Sequence, residues 1–168
     1  KKIGIFGIGG VGHLAVQFAL LEGADVIAIS RNKKHLEVAK KLGASIAIIY
    51  NQDQEKFLQE LKEKVGLLDA AIVFAPADIV TNTAIKAIKK GGLVVIGTIG
   101  KISNFVAFEE KTIRGTVIGS RNDMKEVIRI ANEKNLKVFS EVYRLEQANE
   151  VLAKLKTSKI EARAVLVP

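Results

Sequence analysis

The 168-residue chain, 48% hydrophobic and 26% charged, has the length and balance of one globular domain, and with 5% aromatics and no Trp its core must be aliphatic. The lack of Cys excludes disulfides, thiolate nucleophiles and Cys-based zinc sites, and two histidines, His13 and His35, are too few for a metal centre of their own. A formal charge of +8 raises nucleic-acid binding, but no nucleic-acid motif accompanies it.

In chain order, residues 2–7 form a short apolar run ending in glycine, and residues 10–22 place Val11, Leu14, Ala15, Phe18 and Ala19 at helical spacing. A second strand is predicted at 25–29, then a helix over 33–42 with Leu36, Ala39 and Leu42 inward and Gly43 as its stop. A third strand at 45–49 leads to a helix over 53–65 carrying Phe57, Leu58, Leu61 and Val65. The fourth strand falls at 69–74, and a helix over 79–89 presents Ile79, Val80, Ala84, Ala87 and Ile88. Gly91-Gly92 ends that helix before a fifth strand at 92–97.

Beyond residue 100 the pattern loosens. It predicts a short extended piece at 104–108, a sixth strand at 113–118 and a helix over about 122–134 opened by Asn122-Asp123 as capping residues. An extended run at 137–142, an amphipathic helix over 145–156 and a last strand at 162–167 complete the chain.

The first five strands are continuous apolar runs, the mark of strands buried on both faces. Strict alternation of strand and helix predicts an α/β protein: a doubly wound, parallel six-stranded sheet of order 3-2-1-4-5-6 with helices on both faces, the Rossmann fold. The lysines interleave with acids on the predicted helices, Lys33, Lys34, Lys40, Lys41, Lys56, Lys62 and Lys64 with Glu37, Glu55, Glu60 and Glu63, the pattern of solvated faces. No nucleic-acid or membrane partner is therefore expected. With no apolar run of bilayer length and no leader pattern at the start, a cytoplasmic protein is the expectation. The first residue is not Met, which suggests a piece of something longer.

The chemistry-bearing motif is Gly7-Ile8-Gly9-Gly10-Val11-Gly12, a G-x-G-x-x-G between a predicted strand and a predicted helix. Gly7 allows the tight turn, Gly9 lets backbone approach a pyrophosphate, and Gly12 lets the helix pack closely on the sheet. A helix N-terminus favours the anion through its unpaired N–H groups and dipole. Gly7, Gly9, Gly10, Val11 and Gly12 are the expected contacts to a nicotinamide dinucleotide; the plain alternative is a glycine-rich turn without ligand.

NAD-binding versions of this fold place a carboxylate at the end of the second strand. Here that stretch reads Ser30-Arg31-Asn32-Lys33-Lys34, with no acid before Glu37. Ser30 can donate to a 2′-phosphate, Arg31 can clamp it with its fork, and Lys33 or Lys34 can add charge. NADP(H) is therefore preferred, with NAD(H) possible; alternatively Arg31 covers the adenine face or caps the strand end. His13, in the first turn of the phosphate helix, is expected to be partly exposed, the alternative being that it helps a phosphate when protonated, and His35 is expected to lie on the surface.

The sequence resembles the medium-chain dehydrogenase/reductase superfamily, in particular its zinc-dependent alcohol dehydrogenases. The resemblance is carried by residues 7–19, by Gly23-Ala24, by Lys40-Lys41-Leu42-Gly43-Ala44, by residues 91–97 and by the tail from Tyr143 to Val167, so it spans nearly the whole chain. The loop form Gly-Gly-Val-Gly-His-Leu is closer to enzymes of the cinnamyl-alcohol type than to zinc-free quinone reductases, which more often have an Ala-x-x-Gly-type loop. In the tail the family commonly has Gly before Arg163; here Ala162 stands there.

The resemblance implies that later strand ends line the cofactor: Ala75 and Pro76 after the fourth, Gly97, Thr98 and Ile99 after the fifth, and Gly119, Ser120 and Arg121 after the sixth. Gly97 and Gly119 as mere turns, and Arg121 as a surface charge, are the competing readings. It also implies a separate N-terminal catalytic domain that holds the catalytic zinc and the substrate pocket and is absent here. Residues 1–142 would be the dinucleotide-binding domain, and 143–168 a helix and strand that pack toward the catalytic domain. No catalytic or metal-binding residue is expected in this chain, which alone would be inactive. A homodimer through strand 113–118 is implied as well. The rival readings are the cofactor domain of a zinc-free quinone oxidoreductase and a non-catalytic NAD(P)-sensing module.

Overall fold

The structure, a computed structural model, describes residues 1–103 and 105–168. Its elements run β1 (Lys2–Phe6), α1 (Gly12–Leu21), β2 (Asp25–Ser30), α2 (Lys33–Lys41), β3 (Ile46–Ile49), α3 (Gln54–Lys64), β4 (Leu68–Val73), α4 (Asp78–Ala87) and β5 (Ile88–Ile96). There follow β6 (Thr112–Gly115), α5 (Arg121–Glu133), β7 (Ser140–Arg144), α6 (Ala148–Lys156) and β8 (Arg163–Val167). Six strands form one sheet in the order β3-β2-β1-β4-β5-β6, with every neighbouring pair parallel. This is the doubly wound sheet the alternation predicts. β7 and β8 form a second, two-stranded parallel sheet.

Side chains alternate across a strand, so each inner strand feeds two cores. Phe6, Ile27 and Ile29 point to one face, where they meet Phe57 and Leu61 of α3 and Val80, Ala84 and Ile85 of α4. Ile5, Val26 and Ala28 point to the other, against Val16 of α1 and Leu36 and Ala39 of α2. Phe6 and Phe57, both wholly buried, meet edge to face at 6.2 Å. Full burial of side chains of this size contributes about 1.5–3 kcal/mol each. α2 and α3 start where short polar side chains satisfy their first N–H groups: Asn32 accepts from Lys34 N at 2.9 Å, and Asp53 from Lys56 N at 3.1 Å.

Several boundaries differ from the sequence reading. α1 opens at Gly12, two residues later than expected, and Val11 is 54% exposed. Its buried face includes Gly12, His13, Val16, Gln17 and Ala19, because a second segment packs where solvent was expected. β5 begins at Ile88 instead of after the glycine pair: Leu68 pairs with Ile88 and Ala70 with Leu93, so residues 89–92 bulge out. β6 stops at Gly115; Val117 and Ile118 lie beyond it, 92% and 90% exposed.

Of the extended piece expected at 104–108, Asn104 lies outside the described residues, and Ala107–Glu109 is a single 3-10 turn. The cap of α5 is Ser120, not Asn122-Asp123. Ser120 N donates to Asp123 at 2.6 Å while the Ser120 hydroxyl accepts from Asp123 N, a reciprocal box. The run at 137–142 becomes β7 at Ser140–Arg144, and the helix at 145–156 is a 3-10 turn, Leu145–Gln147, followed by α6.

Candidate functional site

In a parallel sheet all carboxyl ends share one edge. The order reverses direction between β1 and β4, the switch point outside which sheets of this kind form their ligand crevice. The glycine loop follows β1 at that switch point. Gly7 leaves β1 with φ +99°, and its N–H donates to Ile29 O at 2.9 Å. A Cβ on Gly7 would lie 2.8 Å from Ala75 N, and one on Gly12 2.0 Å from Gly7 O, so these glycines let the loop, β4 and α1 close on one another. A Cβ on Gly9 would meet nothing within 4 Å. The loop backbone is thus open to a ligand at Gly9. Gly10 differs: its Cβ direction is covered by Ala162 O and the Arg163 guanidinium.

The other strand ends reach the same rim. Ala75 is half-buried, its N–H donating to Phe6 O at 3.2 Å, and Pro76 is exposed. Gly97 N donates to Val73 O at 2.9 Å, and a Cβ there would press on the Phe74 ring at 2.9 Å. Thr98 is half-buried and Ile99 is 89% exposed. Arg121 is the exposed first residue of α5, behind Gly119 and Ser120.

At the end of β2, Ser30 is buried while Arg31, Lys33 and Lys34 are exposed. Ser30 Oγ accepts from Asn32 N at 3.2 Å and lies 3.4 Å from His35 Nδ1. His35 Nε2 faces Ile160 O at 2.8 Å; a carbonyl can only accept, so Nε2 carries the proton and Nδ1 accepts from Ser30. The single Ser30 proton is therefore directed into the fold, and the groups left facing solvent are cationic. Arg31 stands between two hollows. One, of about 460 Å³, is lined by Ile49, Tyr50, Asn51, Gln52 and Glu60; the other, of about 650 Å³, by Asn32, Lys33, Lys156, Thr157 and Ser158.

Both histidines are buried, against expectation, and both hold the C-terminal segment. His13 Nδ1 donates to Gly9 O at 2.9 Å, which leaves Nε2 to accept from Phe139 N at 3.4 Å. Burial holds its pKa below the usual 6.5, the Gly9 carbonyl opposing and the Arg163 charge adding to the shift. Gln17, one turn on, donates to Lys137 O and accepts from Lys137 N, both at 2.8 Å. Asn32 donates to Ser158 O at 2.7 Å, and Lys34 pairs with Glu161 at 3.5 Å. Sequence periodicity is blind to the bonds that reach the C-terminal segment, whose partners lie 120 or more residues apart.

Arg163 is the site residue that local pattern missed: its guanidinium donates to Gly10 O at 2.8 Å, placing a cation on the glycine loop from 153 residues away. The only sequence signal for it was its position in the family-like tail. Among the described residues, no group of three or more His, Cys, Asp or Glu side chains could hold a metal ion, and no helix is long and apolar enough to cross a membrane.

This geometry can be set beside known proteins. An alcohol dehydrogenase of Geobacillus stearothermophilus is 34% identical over 169 aligned residues, covering 98% of this chain and 50% of its own length. The alcohol dehydrogenase of the archaeon Aeropyrum pernix superposes with a TM-score of 0.90 at 26% identity, over 99% of this chain and 50% of that one. Acetophenone reductase of Geotrichum candidum, solved in complex with NAD, gives 0.86 at 25% identity, over 99% and 48%. The chain thus spans about half the length of the curated relatives it matches. The zinc-binding dehydrogenase family matches residues 10–133, from inside the glycine loop to the end of α5, and the chain belongs to that family.

Proposed function

We propose that this chain is the nicotinamide-dinucleotide-binding part of an alcohol dehydrogenase and that it favours NADP(H) over NAD(H). The observation that carries the reading is that the open glycine loop and a cationic β2 end with no carboxylate of its own from Ser30 to Lys34 lie at the same edge of the sheet. The loop at Gly9 would take the pyrophosphate, with Arg163 adding charge beside it; Ala75, Pro76, Gly97, Thr98 and Ile99 would line the path to the nicotinamide. Arg31, in place of a carboxylate, would hold a 2′-phosphate through a charge-assisted fork.

When bound, the cofactor supplies or accepts the hydride. This chain's residues bind and orient it, and polarising the alcohol or aldehyde, with the zinc, falls to a catalytic domain outside the residues present here. The apolar residues left exposed on α5, Met124, Val127 and Ile128, support a larger covering partner. β6 is the last strand of the sheet, with one side unpaired, and supports edge-to-edge pairing with a second copy. Light scattering across a range of concentrations tests that dimer, and a monomer throughout would remove it.

The cofactor reading is tested by calorimetric titration with NADPH and NADH, before and after Arg31→Ala. Loss of a hydrogen bond to a charged group costs about 1.5–3 kcal/mol, so NADPH binding should fall about 10- to 100-fold while NADH binding holds. Equal or tighter NADH binding by the unaltered chain would refute the NADP(H) preference and leave the fold and family untouched.

A further inference from the structure

The larger of the two hollows beside Arg31 is built from two segments that are distant in sequence. One wall is the start of α2, with Arg31, Asn32 and Lys33; the other is the turn that leaves α6, with Lys156, Thr157 and Ser158. The walls are fixed to each other: Asn32 donates to Ser158 O, His35 donates to Ile160 O, and Lys34 pairs with Glu161. The turn itself is closed by the Thr157 hydroxyl on Ala153 O at 3.0 Å and by Ser158 at φ +55°.

Three cations therefore line one hollow, and among the described residues none of them pairs with a carboxylate. Glu161 is engaged by Lys34, and Glu60 lines the separate hollow on the other side of Arg31. Like charges gathered without a counter-charge repel one another, and a bound anion relieves that repulsion. The volume, about 650 Å³ and open to solvent, holds a phosphate monoester with room to spare.

We propose that this hollow receives the adenosine 2′-phosphate of the dinucleotide, and that Lys156 is a cofactor-specificity residue contributed by the C-terminal segment. The inference rests on the NADP(H) reading above and deepens it by assigning the phosphate to one side of Arg31. A phosphate monoester carries about −1.5 to −2 at neutral pH, so one guanidinium leaves charge over, and Lys156 and Lys33 supply the rest. Lys156 contributes as a point charge on a flexible stem, so its share is smaller than that of Arg31 and is screened by salt. Asn32 and His35 act as positioning residues. Asn32 lines the hollow but spends its amide on Ser158 O, and His35 lies outside it; together they hold the turn that carries Lys156 against α2.

The experiment titrates the chain and its Lys156→Ala, Lys156→Glu and Arg31→Ala variants with NADPH, NADH, 2′,5′-ADP and 5′-AMP, at low and high salt. Lys62→Ala on α3 controls for loss of one positive charge. Lys156→Ala should weaken NADPH and 2′,5′-ADP about fivefold, and Lys156→Glu more, with NADH and 5′-AMP unchanged and the difference shrinking at high salt. The Lys62 variant should match the unaltered chain.

If Arg31→Ala abolishes the NADPH preference while both Lys156 variants keep it, the phosphate lies on the Ile49–Tyr50 side of Arg31. The inference then fails while the NADP(H) reading stands. If the unaltered chain binds 2′,5′-ADP no better than 5′-AMP, both fail together. Equal weakening of NADPH and NADH in the Lys156 variants would make Lys156 part of general charge attraction and overturn its specificity role.

Discussion

α4 and α5 are of similar length, ten and thirteen residues, and each carries an apolar stripe in sequence, yet they end up in opposite surroundings. α4 buries Val80, Thr81, Thr83, Ala84, Ile85 and Ala87 against β4 and β5. α5 buries nothing, and its Met124, Val127 and Ile128 face outward. The difference does not lie in local propensity, since α5 has the better cap, the Ser120–Asp123 box. It lies in what the sheet offers. β4 and β5 run alongside α4, whereas β6 is a four-residue edge strand after which the chain leaves the sheet. An apolar stripe specifies that a helix wants a partner, and only topology decides whether the partner is in the same chain.

Three substitutions test this contrast between the packed half and the open third. Phe57→Ala removes a wholly buried ring that meets Phe6 and Tyr50, and should cost about 3–5 kcal/mol, read as a fall in denaturation midpoint. A cost below 1 kcal/mol would mean the core between β1 and α3 is loosely packed.

His13→Ala acts at the seam. It removes the acceptor of Phe139 N and the donor to Gly9 O, and should cost about 1–3 kcal/mol. The seam also has an acid signature. The folded-state pKa of His13 lies below 6.5, so its contribution is complete above that value and is lost as pH falls through the lowered one. Glu141 behaves alike further down: the Tyr143 hydroxyl and Glu161 N–H hold its carboxyl below the usual 4.5, so its contribution disappears as pH falls through that lowered value. Melting followed from pH 8 to 4 should show stability declining below 6.5, and the decline should be shallower in His13→Ala. Identical pH profiles would dissociate His13 from the effect.

Ile128→Ser should change the stability of the isolated chain by no more than about 0.5 kcal/mol, because the side chain is already 53% exposed. A loss of 2 kcal/mol would show that α5 is packed in solution after all.

How far each region was legible follows the same division. Strand order, the two faces and the glycine loop were readable because they rest on short-range signals: continuous apolar runs, period 3.6, and glycines at a strand-to-helix junction. The expectation of a partly exposed His13 and a surface His35 fails because their partners, Phe139 and Ile160, are more than 120 residues away, and no local pattern announces a segment that returns to cover a helix. Arg163 was missed as a loop partner for the same reason. The β5 start was misread because Gly91-Gly92 looks like a helix stop, whereas here Gly91, at φ +71°, sits in a bulge opposite one residue of β4.

The β7–β8 ribbon has a consequence for the order of events during folding. Two parallel strands alone are too few to be stable, and theirs are joined to the rest by side chain-to-backbone bonds from α1 and α2. Those contacts close chain loops of 120 to 153 residues, so their entropic cost falls due only once the six-stranded sheet exists to receive them. The ribbon therefore docks last and opens first, as one cooperative unit beneath the global unfolding barrier. Its amide protons should exchange with solvent sooner than those of β1, β2 and β4, giving the molecule a breathing edge at the end of the crevice where Arg163 touches the glycine loop.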